Sequence, residues 1–209
     1  MVWMHHVPSL VPRFFDQFVW HRDRSIPTVY LTFDDGPVPG VTDYVLEELY
    51  KRNMNATFFM VGDNVYKNSS LAMEVKAAGH QIGNHTHNHP NGSKTKDFLF
   101  VENVRACQEM IESKMLSSPA LFRPPYGRIT KGQRKALAEQ YQIVMWDVLP
   151  GDFDPGQDTR KCLGKAKQYT RNGSIVVFHD QEKTRTVLPR VLPAYLDWLG
   201  DNGFSTGLL

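Results

Sequence analysis

The sequence predicts an α/β protein in which a parallel sheet is covered by helices. From residue 28 onward, short runs rich in β-branched and aromatic residues alternate with segments of helical periodicity, and this alternation favours strand–helix–strand units. The predicted strands cover residues 28–33, 56–61, 81–84, 120–123, 142–148, 174–178 and 204–208. The predicted helices cover residues 41–52, 63–78, 95–116, 130–140, 158–171 and 185–201. Seven strands form either an open sheet or a closed barrel, and periodicity does not distinguish the two.

Local patterns justify the individual elements. The first strand is an apolar run that Gly36 and Pro37 break, since both residues interrupt a strand. The sixth strand is an uninterrupted apolar run, which is typical of a strand buried on both faces. The last helix is the clearest, although Pro189 and Pro193 limit where it starts. Its apolar face consists of Leu188, Val191, Leu192, Tyr195 and Leu199.

Composition restricts the class of protein. The chain has 209 residues, 41% of them hydrophobic and 22% charged, which is ordinary for one globular domain. A net charge of +2 does not point to nucleic acid as a partner. The two cysteines, Cys107 and Cys162, lie far apart. We therefore expect buried free thiols in a reducing compartment and no disulfide framework.

Residues 1–27 form an N-terminal extension in which residues 10–19 have the pattern of a short amphipathic helix with Pro12 in its first turn. The apolar face would contain Leu10, Val11, Phe14, Phe15, Phe18 and Val19. We favour packing of this face across one end of the domain over docking on a membrane surface, because it lacks a flank rich in lysine and arginine.

The sequence has no pattern typical of a targeting signal. No run approaches the roughly 18 apolar residues of a membrane span, and a basic leader with a small-residue cleavage pattern is missing. We therefore expect a cytoplasmic location, with peripheral membrane association as the alternative. The sequence does not indicate an oligomeric state.

Residues with useful chemistry follow most of the predicted strands. Asp34 and Asp35 follow the first, histidines follow the third, and 123–126 end the fourth. The fifth and sixth strands are followed by Asp147, Asp152, His179 and Asp180. Because the carboxyl ends of parallel strands share one face, we expect these residues to converge.

An acidic pair and a histidine pair predict a metal site. Two adjacent carboxylates repel each other unless a cation or a proton lies between them. One carboxylate with the imidazoles of His85 and His89 would leave an open position for water, as in catalytic zinc sites. His87 lies between these ligands and is either a third ligand or a solvent-exposed side chain. The histidines interpreted as packed or surface residues are His5, His6, His21 and His80.

The remaining polar residues suit acid–base chemistry. A carboxylate beside the metal can remove a proton from water, and His179 on the opposite side can donate one to a leaving group. Arg123 is able to hold a carboxylate by a two-pronged hydrogen bond, and Asp152 to orient His179. Taken alone, Arg123 or Asp152 would be interpreted as a structural salt-bridge partner.

These motifs together resemble the polysaccharide deacetylase family, which is carbohydrate esterase family four or the NodB-homology domain. Thr-Phe-Asp-Asp-Gly-Pro at 32–37, His-Thr-His-Asn-His at 85–89 and Arg-Pro-Pro-Tyr-Gly at 123–127 match its first three motifs. Two later motifs depart from the pattern. Phe153 stands where the family has tryptophan, and Val177 where it has leucine, both at positions that line the acetyl pocket in the family.

The resemblance implies a distorted parallel β/α barrel of seven strands, with residues 28–209 as the catalytic domain. It implies a divalent metal, zinc first with Co²⁺ or Ni²⁺ as alternatives, on Asp35, His85 and His89. It also implies roles for five further residues. Asp34 would be the base and His179 the acid, Arg123 would position Asp34, Asp152 would tune His179, and the backbone N–H of Tyr126 would help to hold the oxyanion.

The implied activity is metal-dependent removal of an N-acetyl group from a saccharide that contains N-acetylglucosamine, with release of acetate. Three alternatives remain open at this point. The first is an O-acetyl polysaccharide esterase, because the same site handles esters. The second is a deformylase or other amidase that acts on a lipid-linked sugar. The third is a sugar-binding module without catalysis, whose sign would be a lost ligand, base or acid, and the sequence has lost none of them.

Overall fold

The structure is a computed structural model that describes residues 4–154 and 156–209. Its helices are α1 Val11–Phe14, α2 Thr42–Lys51, α3 Gly62–Lys67, α4 Ser69–Ala77, α5 Asp97–Met115, α6 Lys131–Leu137, α7 Thr159–Tyr169 and α8 Leu188–Asp201. Its strands are β1 Thr28–Asp34, β2 Thr57–Met60, β3 Gln81–Asn84, β4 Leu121–Phe122, β5 Gln142–Ile143, β6 Ile175–His179 and β7 Ser205–Thr206. Within the described residues, no helix combines the length and the apolar character that crossing a membrane requires.

The strands form one parallel sheet in the order β5-β4-β3-β2-β1-β6, with β7 beside β1. Each of the seven predicted strands is present. The chain after β5 connects the two ends of this order: Val148 pairs in parallel with Val176, and the N–H of Val177 donates to the carbonyl of Val148 at 3.0 Å. The sheet therefore curls into the distorted barrel that the family resemblance implies.

Two predicted elements differ from the observed ones. The strand predicted over 142–148 ends at Ile143, because the chain then leaves β4 and crosses to β6. The helix predicted over 63–78 is two helices, α3 and α4, which meet at Asn68. The amide of Asn68 donates to the carbonyl of Pro37 at 3.0 Å, so the break anchors these helices to the loop after β1.

The central strand β1 passes through the middle of the core. Phe33 of this strand is fully buried and stacks on Phe58 and Phe178, with ring centroids 5.1 and 6.1 Å away. Helix α8 covers the core with the apolar face that the sequence predicts, to which the structure adds Leu196. Every residue of β1 from Leu31 to Asp34 is buried, as is typical of a strand covered on both faces.

The amphipathic helix predicted over 10–19 is wrong in length, because α1 has four residues. The chain then turns, and the N–H of Val19 donates to the carbonyl of Ile143 at 2.9 Å. This bond takes Val19 into a bridge beside β5, which a continuing helix would prevent. Phe18 and Val19 pack against the domain as expected, whereas Phe14 is 76% exposed.

We predict that Phe100→Ala lowers the free energy of unfolding by about 3–5 kcal/mol, because it removes a buried ring and leaves a cavity. Phe100 is fully buried in α5 and contacts Phe122 edge to face. Urea titration is the measurement. Phe98→Ala is the matched control on the same helix, because Phe98 is 71% exposed, and we expect a change of no more than about 0.5 kcal/mol. Equal losses in the two variants would contradict this assignment of the core.

Candidate active site

A cleft of about 540 Å³ opens at the carboxyl ends of the strands. Six of the residues predicted for the site line it: Asp34, Asp35, His85, His89, Tyr126 and His179. The other two, Arg123 and Asp152, are 0% and 1% exposed and support the lining residues. Trp146, Leu149, Phe153 and Val177 add apolar surface to the same cleft. The convergence predicted from strand ends is therefore found.

Several residues in or next to the cleft have left-handed backbone conformations that favour glycine. Asp35 has φ +82°, Thr86 +68°, His89 +59° and Tyr126 +59°. Neighbouring side chains of a strand point to opposite faces, so Asp34 and Asp35 would separate if β1 continued. The turn at Asp35 instead directs both carboxylates into the cleft. Such conformations are uncommon for residues other than glycine and cluster at functional sites.

Asp35, His85 and His89 form a compact group whose ligand atoms lie within 4.8 Å of one another. Asp35 Oδ1 lies 3.4 Å from His85 Nε2 and 3.0 Å from His89 Nε2. Among the described residues, this is the one group of three or more His, Cys, Asp or Glu side chains arranged so closely. Asp34 is less central, because its Oδ2 lies 3.9 Å from His85 Nε2.

The hydrogen bonds of the two histidines leave ring nitrogens free to bind a cation. His85 Nδ1 lies 2.7 Å from the carbonyl oxygen of Arg123 and donates to it, so in the neutral ring the lone pair is on Nε2. His89 Nδ1 is in turn 3.2 Å from the Tyr126 hydroxyl. Asp35 Oδ1 is buried and has no hydrogen-bond partner among the described residues. A lone pair that faces an unsatisfied carboxylate oxygen suits a metal ion, and these residues fit one.

Electrostatics agree with an ionised Asp35. Burial raises the pKa of its carboxyl, but the imidazoles of His85 and His89 outweigh this effect and hold the pKa well below its ordinary value. The carboxylate is therefore charged and available as a ligand over the whole neutral range.

Asp34 is held by Arg123, though not in the predicted manner. Nη1 of the guanidinium lies 2.6 Å from Asp34 Oδ1 and 2.8 Å from the Thr32 hydroxyl. Nη2 and Nε donate instead to the carbonyl groups of Met145 and Val144. The predicted two-pronged bond is wrong, because the chain after β5 uses the remaining donors. Asp34 Oδ2 is left facing the cleft.

His179 is held by Asp152 at two points. His179 Nδ1 lies 3.0 Å from Asp152 Oδ1, and the backbone N–H of His179 donates to Oδ2 at 2.7 Å. Burial lowers the pKa of His179, but the negative charge of Asp152 outweighs it, and the pKa rises to about 9. The imidazole is therefore protonated at neutral pH, with Nε2 as the free donor.

The remaining histidines lie outside the ligand group. His87 does not line the cleft, and its buried Nδ1 has no hydrogen-bond partner among the described residues. His80 is buried, and burial lowers its pKa. His5 and His6 bond backbone carbonyl groups, and His21 does the same. These contacts agree with the packing roles that the sequence suggested for them.

Two acidic residues predicted to converge on the site do not line the cleft: Asp180, whose carboxylate bonds Gly36 and Thr42, and Asp147. Asp147 is 2% exposed, but its Oδ2 bonds Arg24 at 2.6 Å and the Ser174 hydroxyl at 2.9 Å. Ser174 precedes β6, whereas His179 ends it. Because strand β5 stops early, Asp147 lies in the connecting segment and faces the amino end of β6.

Sequence reasoning missed polar residues that support the site. Asn64 of α3 donates to the carbonyl of Asp35 at 2.7 Å and lines the cleft together with Asp63. Both follow the carboxyl end of β2, so the strand-end pattern that predicts the other site residues also applies to them. Asp180 follows His179 and has no role in the predicted chemistry. It is 1% exposed, and burial raises its pKa to about 8.

The fold and the site together define a parallel α/β barrel protein with a carboxylate–histidine cation site. The sequence model of the family described as polysaccharide deacetylase matches residues 21–145. That match covers more than half of the chain, and it includes the first three motifs. The chain therefore belongs to the polysaccharide deacetylase family, whose members are metal-dependent hydrolases.

Individual relatives agree with this membership. A peptidoglycan-N-acetylglucosamine deacetylase of Bacillus cereus is 35% identical over 182 residues, which cover 83% of this chain and 84% of that protein. A chitooligosaccharide deacetylase of a Bradyrhizobium species is 35% identical over 156 residues, or 73% of this chain and 70% of that one. The crystal structure of the Bc1960 peptidoglycan N-acetylglucosamine deacetylase superposes with a TM-score of 0.88 at 28% identity, covering 92% and 91% of the two chains.

We predict that Asp152→Asn lowers the pKa of His179 below about 9 in the metal-free protein, because it removes the main charge that raises this pKa. A raised pKa in the folded state stabilises the fold fully below the ordinary value of 6.5 and less as pH rises through about 9. The stability lost in Asp152→Asn should therefore be greatest at low pH. NMR titration of the imidazole and urea titrations at several pH values are the measurements.

The control for this titration is Asp158→Asn, which alters an exposed carboxylate paired with Arg160. We expect it to leave the His179 pKa unchanged. An unaltered His179 pKa in Asp152→Asn would show that Asp152 does not cause the shift.

Proposed function

We propose that this protein hydrolyses the N-acetyl group of a saccharide that contains N-acetylglucosamine and releases acetate. One observation carries the proposal: a single cleft holds the Asp35, His85 and His89 group, a carboxylate beside it, and a protonated imidazole. Amide hydrolysis needs a base for the attacking water and an acid for the departing amine. The relatives described as peptidoglycan and chitooligosaccharide deacetylases support this substrate class.

We propose zinc as the resident metal, with Co²⁺ or Ni²⁺ as replacements, held by Asp35, His85 and His89. Two imidazoles and one carboxylate are a usual ligand set for catalytic zinc. Such a cation supplies Lewis-acid chemistry, because it polarises a carbonyl group and lowers the pKa of water. The bond from His85 Nδ1 to the Arg123 carbonyl keeps Nε2 free for this role.

Asp34 is proposed as the general base. Its Oδ1 is engaged by Arg123, whereas Oδ2 lies near His85 and faces the cleft. The bond to the buried guanidinium holds the carboxylate in one orientation. Asp34 would accept a proton at Oδ2 from the water that attacks the amide carbonyl.

His179 is proposed as the general acid. Asp152 holds the ring through Nδ1, so the proton on Nε2 is free for the nitrogen of the departing amine. Tyr126 is proposed to bind the developing oxyanion through its backbone N–H, which donates to no acceptor among the described residues. A preorganised backbone donor of this kind stabilises a tetrahedral intermediate without reorganisation.

We predict that the zinc-loaded protein releases acetate from chitooligosaccharides or peptidoglycan fragments faster than from acetylxylan. A chelator should abolish the activity, and added metal should restore it. Acetate release is measured with each substrate in parallel, including free N-acetylglucosamine. Release from acetylxylan alone would indicate an O-acetyl esterase instead, and absence of release from every substrate would contradict the proposed function.

Asp34→Asn tests the base within the same assay. We expect it to keep the bound metal and to lose about 10²–10⁴-fold in turnover, which is the usual value of general-base catalysis. Metal content by elemental analysis is the second readout. Loss of the metal in this variant would mean that Asp34, rather than Asp35, is the ligand.

We predict that His179→Ala slows hydrolysis of the amide far more than hydrolysis of an activated acetate ester. An amine must be protonated in order to leave, whereas an activated phenolate leaves unaided. Turnover of a chitooligosaccharide and of an aryl acetate is compared for the variant and the wild type. An equal loss with both substrates would exclude His179 as the leaving-group acid.

A further inference from the structure

Asp180 is a buried carboxylate that the proposed reaction does not use. It directly follows His179, and its side chain is directed away from the cleft toward the loop between β1 and α2. Asp180 Oδ1 accepts the N–H of Gly36 at 3.1 Å, and Oδ2 accepts the Thr42 hydroxyl at 2.6 Å. The Thr42 oxygen accepts in turn the N–H of Val38 at 2.7 Å.

These bonds hold the turn that contains the acidic pair on the side of β6. The backbone N–H of Asp180 also donates to the carbonyl of Asp34 at 3.0 Å. On the side of β2, the N–H of Asp35 donates to the carbonyl of Phe59, and the side-chain amide of Asn64 donates to the carbonyl of Asp35. The turn is therefore fixed by β2 on one side and through Asp180 on the other.

The packing at Gly36 shows how closely the two loops approach. A Cβ at this position would collide with the Asp180 carboxylate. The contact is thus a close fit between the segment that follows His179 and the residue that follows Asp35. A displacement of Asp180 would be transmitted to the turn, because buried interfaces of this kind are closely packed.

We infer that Asp180 is a positioning residue for the cation site. It joins the loop that bears His179 to the turn that bears Asp34 and Asp35, and so it sets the direction of the Asp35 carboxylate and its spacing from His179. The inference rests on the proposed function for its catalytic meaning. The effect of Asp180 on the geometry of the Asp35, His85 and His89 group does not depend on which substrate the protein uses.

Asp180→Asn tests this inference with little change in side-chain volume. An amide keeps one acceptor oxygen for the N–H of Gly36, but its NH2 group replaces the second acceptor, so the hydrogen bond that the Thr42 hydroxyl donates is lost or reversed. The measurement is the Zn²⁺ dissociation constant of the purified protein, determined by competition with a chromophoric chelator. We expect it to rise about 10–100-fold, as for other groups that orient metal ligands.

Asp147→Asn is the matched control. Asp147 is also a buried carboxylate with two donors, Arg24 and Ser174, and it does not line the cleft. We expect this variant to lower the melting temperature of the metal-free protein without altering the Zn²⁺ dissociation constant. If Asp180 had a purely structural role, Asp180→Asn would likewise lower the melting temperature and leave the Zn²⁺ dissociation constant unchanged.

Thr42 provides a second route if Asp180→Asn does not fold. Thr42→Val removes the hydroxyl at nearly constant volume and should weaken Zn²⁺ binding. Thr42→Ser keeps the hydroxyl and should bind Zn²⁺ with the affinity of the wild type. Unchanged Zn²⁺ affinity in Thr42→Val, or in a folded Asp180→Asn, would overturn the inference. If the wild type binds Zn²⁺ but releases no acetate, the proposed function fails, and the comparison of dissociation constants still decides the role of Asp180.

Discussion

The site depends on one buried residue, Arg123. Its guanidinium bonds Asp34 at the end of β1 and the carbonyl groups of Val144 and Met145 after β5. Its own carbonyl accepts the Nδ1–H of His85. A buried guanidinium is costly unless its charge and its donors are satisfied, so the segments that satisfy it are held in one arrangement. The proposed base, a proposed metal ligand and the closure of the barrel are thereby coupled through the side chain and the backbone of Arg123.

The distribution of charge around the cleft separates the roles of its carboxylates. Asp34 is neutralised by Arg123, and Asp152 by the protonated His179. Asp35 instead meets two imidazoles, of which at least that of His85 presents a lone pair. In the neutral imidazoles, the Nε2 lone pairs and the Asp35 carboxylate can bind one cation together, whereas the Asp34 carboxylate is already paired with a guanidinium. The adjacent acids are thus chemically different because their partners differ.

The left-handed turns explain how this arrangement is reached from ordinary strands. Asp35 and Tyr126 each leave a strand end through a conformation that few residues adopt. Neighbouring contacts maintain these conformations: Asn64 bonds the carbonyl of Asp35, and the Tyr126 hydroxyl lies against His89. Strain at the cleft is therefore supported by the rigid barrel beneath it, as is typical of functional sites.

The amino-acid sequence by itself determined the alternation of strands and helices and the residues that gather at the carboxyl end of the sheet. Both follow from local sequence patterns, because hydrophobic periodicity and the residues that end a strand can be recognised in short stretches of consecutive residues. The tertiary structure decided the closure of the barrel, which depends on Val148 pairing with Val176 across the whole sheet. It also decided that Asp147 faces Ser174 and lies outside the cleft, and that Asp180 contacts Gly36. These contacts join residues far apart in the chain, so no local pattern encodes them; they arise when the sheet curls and brings its edges together.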